Sequence, residues 1–195
     1  PKKLYEFIKM KAVLVRGTNI LFSIHKELIS DNTPHKENFF YSKGILDFMQ
    51  ENFSSRKKII SKSFHANLEL EQKEKCEIFV SFNELEQSSM MSYCNTIKTP
   101  DGGSHENALK NSLIKSLKIF GQKNQISKSS NISSSDLFDY SDSFISMFIN
   151  SPSFEGQTKK RITMPKLQKT LEESIQNQFL LWLNTNKRDS IKLIE

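Results

Sequence analysis

Apolar residues recur along the chain at two spacings, and each spacing predicts a different kind of element. In residues 63–70 apolar and polar side chains alternate, which is typical of a strand with one buried face. Short apolar runs at 76–82, 90–97 and 144–149 predict three further strands. We therefore expect this part of the chain to contribute a β-sheet to the core.

Two other stretches carry apolar residues at helical spacing. Residues 99–103 predict a strong turn, after which Ser104 is expected to cap a helix. Pro165 suits the first turn of a second helix, which should run to about Asn184. The two apolar stripes consist of Leu109, Leu113, Leu117 and Phe120, and of Leu167, Leu171, Ile175, Phe179 and Trp182. The order of elements predicts an α+β fold with helices on one face of a mixed sheet.

The N-terminal part of the chain looks like a separate, smaller α+β piece. Residues 2–10 predict the end of a helix. The apolar runs at 12–15 and 19–24 predict two strands, joined by a turn at Gly17. A short strand at 39–41 should precede a second helical pattern. Polar loops are expected at 30–38, 121–135 and 154–161, and a short helix near 134–142.

Composition narrows the class of protein. The 195 residues carry 28 Lys+Arg and 22 Asp+Glu, and the net charge of +6 is compatible with contact to a polyanion. Cys76 and Cys94 lack metal-site spacing and lie in apolar runs, so we expect buried free thiols in a reducing cytoplasm. No apolar run has the length of a membrane helix, and no signal peptide is recognisable. Because Pro1 is not a natural start, we expect the chain to begin within a longer protein.

Common catalytic and metal-binding motifs do not occur in the sequence. Neither GxxxxGK(S/T) nor GxGxxG is found, so the chain has no self-contained phosphate-binding loop of the common kinds. The four histidines show no HxxxH or HExxH spacing, which argues against a metal site. No nucleophile elbow supports a Ser–His–Asp triad.

Two short strings are unusual instead. The first, Asp101-Gly102-Gly103-Ser104-His105, predicts a turn with a crowded or left-handed backbone, followed by a helix cap. The second is the loop sequence 154–159, in which Gly156 frees the backbone. If this loop is extended, Gln157 and Lys159 point the same way, and an amide donor beside an ammonium suits a phosphate oxygen.

Both strings resemble signatures of one family, the B subunits of bacterial type IIA DNA topoisomerases, which comprise gyrase and topoisomerase IV. The matching residues are Asn95-Thr96-Ile97-Lys98-Thr99-Pro100-Asp101-Gly102-Gly103-Ser104-His105 and Phe154-Glu155-Gly156-Gln157-Thr158-Lys159, in the family's order. Residues 12–17 and 44–48 also resemble the family, and Leu181-Trp182-Leu183-Asn184 favours the topoisomerase IV branch.

The resemblance implies a division of the chain and a set of site residues. Residues 1–41 should be the C-terminal helix and strands of a GHKL-type ATP-binding domain. Residues 42–184 should be a transducer domain similar to domain 2 of ribosomal protein S5, and 185–195 the start of a linker. Lys159 is then the catalytic lysine that reaches the γ-phosphate of ATP, with Gln157 as its partner. ATP and Mg²⁺ are implied for the full-length protein, whereas this piece alone is expected to bind neither and to be inactive.

The implied partners are DNA, the A subunit of topoisomerase IV and a second copy of the full-length protein, which together form a heterotetramer. The piece alone is expected to be a monomer without membrane contact. Basic residues expected to face DNA are Arg56, Lys57, Lys58, Lys110, Lys115 and Lys118. Two alternatives stay open: the transducer of a mismatch-repair-type GHKL ATPase, and a stand-alone nucleic-acid-binding domain of the same fold.

Overall fold

The chain divides into two units in the computed structural model, which describes residues 1–195: residues 1–55 and residues 56–195. The predicted domain boundary after residue 41 concerns the family's domains and stays a prediction. The structural division falls later, so the helical pattern after Gly44 lies in the first unit. No helix of either unit combines the length and the apolar character required to cross a bilayer.

The first unit consists of two helices and a two-stranded sheet. Its elements are α1 (Lys2–Leu14), β1 (Asn19–Ser23), β2 (Lys36–Phe40) and α2 (Ile45–Phe53). Strands β1 and β2 are antiparallel. Tyr5 of α1 packs edge-on against Phe22 and Phe39, with ring centroids 5.4 and 5.2 Å apart. Its hydroxyl donates to Glu37 at 2.7 Å, so one aromatic side chain joins the helix to both strands.

The strand predicted at 12–15 is wrong, because α1 continues to Leu14. Ala12, Val13 and Leu14 are all buried on the last turn of this helix. A run of four apolar residues fits a buried helix end as well as a strand, and periodicity alone cannot separate the two. The predicted turn is confirmed, since Gly17 has a φ of 80°.

The second unit is built on a five-stranded sheet. Its strands are β3 (Phe64–Glu69), β4 (Lys75–Phe82), β5 (Ser89–Cys94), β6 (Ile97–Lys98) and β7 (Ser141–Phe148). The order across the sheet is β3-β4-β7-β5-β6. All neighbours are antiparallel except β5 and β7, which run parallel. The prediction of a mixed sheet is confirmed.

Four helices complete the second unit: α3 (Ser104–Lys123), α4 (Ser134–Phe138), α5 (Pro165–Thr185) and α6 (Lys187–Ile194). Short 3₁₀ turns lie at Glu71–Lys73 and Ser127–Asn131 in this unit, and a third lies at Lys26–Leu28 in the first unit. The α+β prediction is therefore confirmed, whereas the likeness to the S5-type transducer stays a prediction. Helix α6 falls where a linker was expected, and its Ser190 and Ile194 are buried.

The core lies between α3, α5 and one face of the sheet. The predicted apolar stripe of α3 is fully buried, as are the side chains of α5 at Leu171, Ile175, Phe179 and Leu183. They pack with strand residues such as Ile78 and Ile145, which face each other across β4 and β7. Trp182 was predicted to be the last core residue of α5, but it is only half-buried and stacks on Phe179 with ring centroids 5.5 Å apart. Leu183 takes that core position instead.

Both cysteines lie in this core and are free, as predicted. Burial raises the pKa of the Cys76 and Cys94 thiols well above the ordinary range. They therefore behave as small apolar side chains rather than as nucleophiles.

Candidate functional site

The two unusual strings of the sequence lie side by side in the fold. Ile162, just after the 154–161 loop, pairs with Gly103 in a parallel bridge and with Phe154 in an antiparallel one. The Ser104 amide donates to the Ile162 carbonyl at 3.0 Å, and the Ile162 amide donates to the Gly102 carbonyl at 3.1 Å. The Asp101 amide donates to the Lys160 carbonyl at 3.1 Å. Three backbone hydrogen bonds thus fix the loop to the turn that precedes α3.

Close backbone approach explains the second glycine of the first string. A Cβ atom on Gly103 would lie 2.2 Å from the Ile162 carbonyl oxygen and 2.6 Å from its nitrogen. Both neighbours are backbone atoms of the bridge itself, so neither can move aside without breaking it. Gly103 also has a φ of 126°, which residues with a Cβ rarely adopt. The prediction of a crowded turn is confirmed.

Ser104 does not cap α3 in the predicted way. It is the first residue of the helix, and no side-chain cap is formed from Gly103. Instead the Ser104 hydroxyl accepts a hydrogen bond from the Met164 amide at 2.8 Å. Its oxygen therefore serves the residue that precedes α5 rather than an amide of its own helix.

The 154–161 loop closes on itself and ends in a tight turn. The Glu155 amide donates to the Arg161 carbonyl at 2.9 Å, so the two sides of the loop are paired at its base. The Lys159 amide donates to the Gly156 carbonyl at 3.4 Å, which places Gln157 and Thr158 at the tip. Lys159 has a φ of 54°. The expectation of an extended loop is wrong here, and the alternation of side chains that it assumed does not apply.

Of the three neighbouring cations, Lys159, Lys160 and Arg161, only Arg161 forms an ion pair. Its guanidinium donates to the Asp101 carbonyl at 2.9 Å and lies 3.3 Å from a Glu155 carboxylate oxygen. Lys159 and Lys160 are exposed and form no ion pair. The Lys159 ammonium lies 6.0 Å from the centre of the Phe154 ring, and Phe154 packs on the core as predicted. Gln157 is exposed beside them, and the phosphate-binding role of Gln157 and Lys159 stays a prediction.

A buried polar network lies beneath the turn. The Thr99 hydroxyl donates to Ser92 Oγ at 2.9 Å, and Ser92 Oγ donates to the Thr99 carbonyl at 2.9 Å. His105 Nε2 lies 3.1 Å from the Thr99 hydroxyl oxygen, so we assign the ring proton to Nε2. His105 Nδ1 is buried without a partner. Burial lowers the pKa of His105 to about 4, against the opposing effect of the Glu106 carboxylate.

Two of the predicted DNA-facing residues are held by a buried carboxylate. Arg56 Nη1 donates to Asp142, and the Lys58 ammonium lies 3.4 Å from the same carboxylate. Asn83 Nδ2 also donates to Asp142, at 3.0 Å. Burial lowers the pKa of Lys58, and Asp142 opposes that change. Arg56 and Lys58 thus attach the start of the second unit to the sheet, whereas Lys57 forms an ion pair with Glu84 at 2.7 Å near the surface.

The other predicted DNA-facing residues line a shallow groove on the outer side of α3. Lys110, Lys115 and Lys118 border this space of about 410 Å³. Lys110 forms an ion pair with Glu106 at 2.7 Å, whereas Lys115 and Lys118 are exposed and form none. Contact of these residues with DNA stays a prediction.

Two features of the site were not predicted from the sequence. The Ser92–Thr99–His105 network has no fixed spacing to identify it, because the hairpin of β5 and β6 brings Ser92 and Thr99 together. Asp142 had a visible signal, since a carboxylate beside the apolar run at 144–149 requires partners when it is buried. Nowhere in the chain do three or more His, Cys, Asp or Glu side chains gather as metal ligands.

Comparison with known proteins gives one consistent result. The sequence model of the family described as DNA gyrase B matches residues 44–195. The chain is 30% identical to the B subunit of DNA topoisomerase 4 of Caulobacter vibrioides and 32% identical to that of Rickettsia felis. Both alignments cover 100% of this chain, but only 29% and 30% of those proteins. The chain thus spans about a third of the length of these relatives.

Solved structures share the fold at lower identity. The topoisomerase IV ATP-binding domain of Francisella tularensis, solved with a small-molecule inhibitor, has a TM-score of 0.81 and 22% identity. The 43K ATPase domain of Thermus thermophilus gyrase B, solved with an aminocoumarin, has a TM-score of 0.79 and 20% identity. Each match covers 99% of this chain and 50% of the solved chain. At these identities the likeness concerns the fold.

Proposed function

Because the chain belongs to the DNA gyrase B family, we propose that it is the transducer-containing part of the B subunit of an ATP-dependent type IIA DNA topoisomerase of the topoisomerase IV kind. Family membership removes the support for the two alternatives, a mismatch-repair-type transducer and a stand-alone nucleic-acid-binding domain. In this proposal residues 42–184 couple ATP binding and hydrolysis to DNA strand passage.

One observation carries the proposal: the two strings that resemble the family meet at one place in the fold. The Gly103–Ile162 bridge holds the base of the 154–161 loop, and the turn at Gly156–Lys159 presents the exposed Gln157 and Lys159 side chains. Arg161 is committed to Glu155 and to the Asp101 carbonyl, so it is the least available of the local cations. We therefore assign the γ-phosphate contact to Lys159, with Gln157 as a neutral donor beside it.

The mechanism proposed for this loop is a contact that exists in only one nucleotide state. ATP is bound by the ATP-binding domain of the full-length protein, and the Lys159 ammonium reaches its γ-phosphate. A compact ammonium on a flexible stem suits a group that moves and leaves. After hydrolysis the contact is lost, and this difference in affinity allows the nucleotide to favour one of two domain orientations. Lys159 also stabilises charge that develops during phosphoryl transfer.

Other partners belong to the whole protein. We propose DNA as the substrate, a homodimer of the full-length protein, and as the partner protein the A subunit of topoisomerase IV. Mg²⁺ would enter with the nucleotide, because this chain offers no cluster of ligands to hold the ion by itself. None of the steps assigned to Lys159 or Gln157 requires a metal ligand from this chain.

The test is Lys159→Ala in the full-length protein. We expect ATP turnover to fall by more than about tenfold, on the order of the loss of one preorganised donor. Nucleotide affinity should change much less, since most of the binding pocket lies elsewhere. Steady-state ATP hydrolysis with DNA and the partner topoisomerase protein measures the first quantity, and calorimetric titration with a non-hydrolysable nucleotide measures the second.

Lys160→Ala is the matched control, because Lys160 is an exposed lysine of the same loop without an ion pair. Its turnover should stay within about twofold of the parent, as is usual for surface substitutions outside a site. Parent-like turnover in Lys159→Ala would contradict the assignment, and a large loss confined to Lys160→Ala would transfer the role to that residue.

A further inference from the structure

We infer that Ser104 is a positioning residue for Lys159, acting through the base of the 154–161 loop. This inference rests on the proposed function, since it concerns how the loop is held rather than whether the loop contacts ATP. The hydrogen bonds of Ser104 to the loop go to Ile162 and Met164, and none goes to Lys159. Its effect on the reaction is therefore predicted to pass entirely through the lysine.

Ser104 joins the two long helices of the second unit to the end of the loop. It is the first residue of α3 and is 6% exposed. Its amide donates to the Ile162 carbonyl, and its hydroxyl accepts from the Met164 amide at 2.8 Å. Met164 directly precedes α5. Ser104 thus binds Ile162 through its backbone amide and Met164 through its hydroxyl, and Ser104→Ala removes only the bond to Met164.

The support on the α3 side is rigid. Helix α3 and helix α5 bury their apolar faces against each other and against the sheet. The hydrogen-bonded Thr99 and His105 lie on either side of the turn that begins α3. Gly103 allows the backbone of the turn to approach Ile162 without an intervening Cβ. Ser104 therefore holds Ile162 and Met164 at a fixed position relative to a packed helix.

The tip of the loop has no such support of its own. The turn at Gly156–Lys159 is closed by one long hydrogen bond of 3.4 Å. The entering side, at Ser153 and Glu155, forms backbone hydrogen bonds only with the returning side of the same loop, at Thr163 and Arg161. All backbone bonds from the loop to the 101–104 turn are made by the returning side. Apart from the packing of Phe154 on the core, the position of Lys159 is consequently set by the bonds at 160–164.

Arg161 adds a second, independent restraint from the surface. Its guanidinium joins the Asp101 carbonyl to the Glu155 carboxylate, so it spans the turn and both sides of the loop. Arg161 is exposed, unlike Ser104, so we expect its replacement to leave the core unchanged. It thus offers a variant of the same kind without a buried change.

The experiment is a double-mutant cycle in the full-length protein, assembled with its partner topoisomerase protein and DNA. Ser104→Ala should lower the kcat for ATP about tenfold and leave KM within about twofold, because small displacements of a catalytic group are costly to rate. In the Lys159→Ala background, Ser104→Ala should have no further effect, since the group it positions is gone. Arg161→Gln should behave in the same direction.

Ser112→Ala is the matched control. Ser112 is a buried serine of α3 whose hydroxyl lies 2.6 Å from the Ala108 carbonyl oxygen and 3.0 Å from the Glu172 carbonyl oxygen of α5, so its replacement removes a buried hydroxyl and its hydrogen bonding away from the loop. We expect a similar change in thermal stability and a kcat within about twofold of the parent.

Several outcomes would overturn the inference. A parent-like kcat in both Ser104→Ala and Arg161→Gln would do so while leaving the role of Lys159 intact. Effects of Ser104→Ala and Lys159→Ala that multiply would show that Ser104 acts by another route. If Lys159→Ala alone turned over ATP at the parent rate, the proposed function would fail first, and any loss in Ser104→Ala would then be structural.

Discussion

Protonation of His105 should destabilise the second unit at acidic pH. The ring is buried, and its Nε2 is hydrogen-bonded to Thr99. Its Nδ1 has no hydrogen-bond partner, so a proton added to that nitrogen would have no acceptor. Burial lowers its pKa from 6.5 to about 4. Because the folded chain binds this proton less readily than the unfolded chain, the stabilisation is complete above about pH 6.5 and is lost as the pH falls toward 4.

The size of the effect follows from the two pKa values. A fall from 6.5 to about 4 corresponds to about 3 kcal/mol, or at most about 1.4 kcal/mol per pH unit in that window. Glu106 is the charged neighbour and opposes the shift. Asp31 and Asp136 also have lowered pKa values through hydrogen bonds to Thr33 and Ser133, so they too lose stabilisation in acid. The contribution of His105 must therefore be measured as a difference.

The assay compares the parent chain with His105→Gln, which keeps an amide nitrogen near the Nε2 position but cannot titrate. Urea unfolding between pH 4.5 and 8 is followed by the fluorescence of Trp182, the single tryptophan, which packs in the same unit as His105. Between pH 8 and pH 4.5 the parent should lose about 2.5 kcal/mol relative to the variant, since the full loss is reached only below the folded-state pKa of about 4. His35→Gln, at an exposed position, should follow the parent. A stability difference that is the same at every pH would refute the reasoning.

Two further predictions concern the charged residues. Asp142→Ala leaves two partly buried cations without their carboxylate and should lower the free energy of unfolding by about 3 kcal/mol. Glu84→Ala, which breaks only a surface pair, should cost less than about 1 kcal/mol by the same urea assay, and equal losses would contradict the distinction. Replacing Lys115 and Lys118 with glutamine in the full-length protein should reduce the log–log salt slope of DNA binding by about 0.9 per lost contact. Lys169→Gln, at an exposed position of α5 outside the groove, is the control. An unchanged salt slope in the Lys115 and Lys118 variant would exclude the α3 groove as a DNA surface.

Much of the second unit could be predicted because its apolar residues repeat with clear periods. The stripe at Leu109, Leu113 and Leu117 fits only a helix with one buried face, and the alternation in 63–70 fits only a half-buried strand. The apolar residues that the pattern indicated on α3 and β3 are buried, but α3 also buries polar residues such as Ser112 and Ser116, which the pattern did not indicate. The prediction was wrong at 12–15, where the apolar run was too short to show a period.

The candidate site was predictable in its residue types but not in its geometry. The glycines of the first string indicated a crowded turn, yet nothing in the sequence identified Ile162 as the backbone that approaches Gly103. Lys159 was expected to lie on an extended segment, but a local hydrogen bond to Gly156 turns the chain there. Nothing in the sequence pairs Arg161, two residues after Lys159, with any partner. Its partners, the Asp101 carbonyl and Glu155, become neighbours only through the tertiary fold.

The order of strands in the sheet has a consequence for the synthesis of the chain. Strand β7 is the last strand in sequence but lies in the middle of the sheet, between β4 and β5. Until it is made, a nascent chain holds two separate hairpins, β3–β4 and β5–β6, each with an unpaired edge. Contacts between distant parts of a sequence form slowly, and unpaired edges favour aggregation. A chain that ends before residue 141 is therefore expected to leave these edges unpaired and to aggregate more readily than the complete sheet.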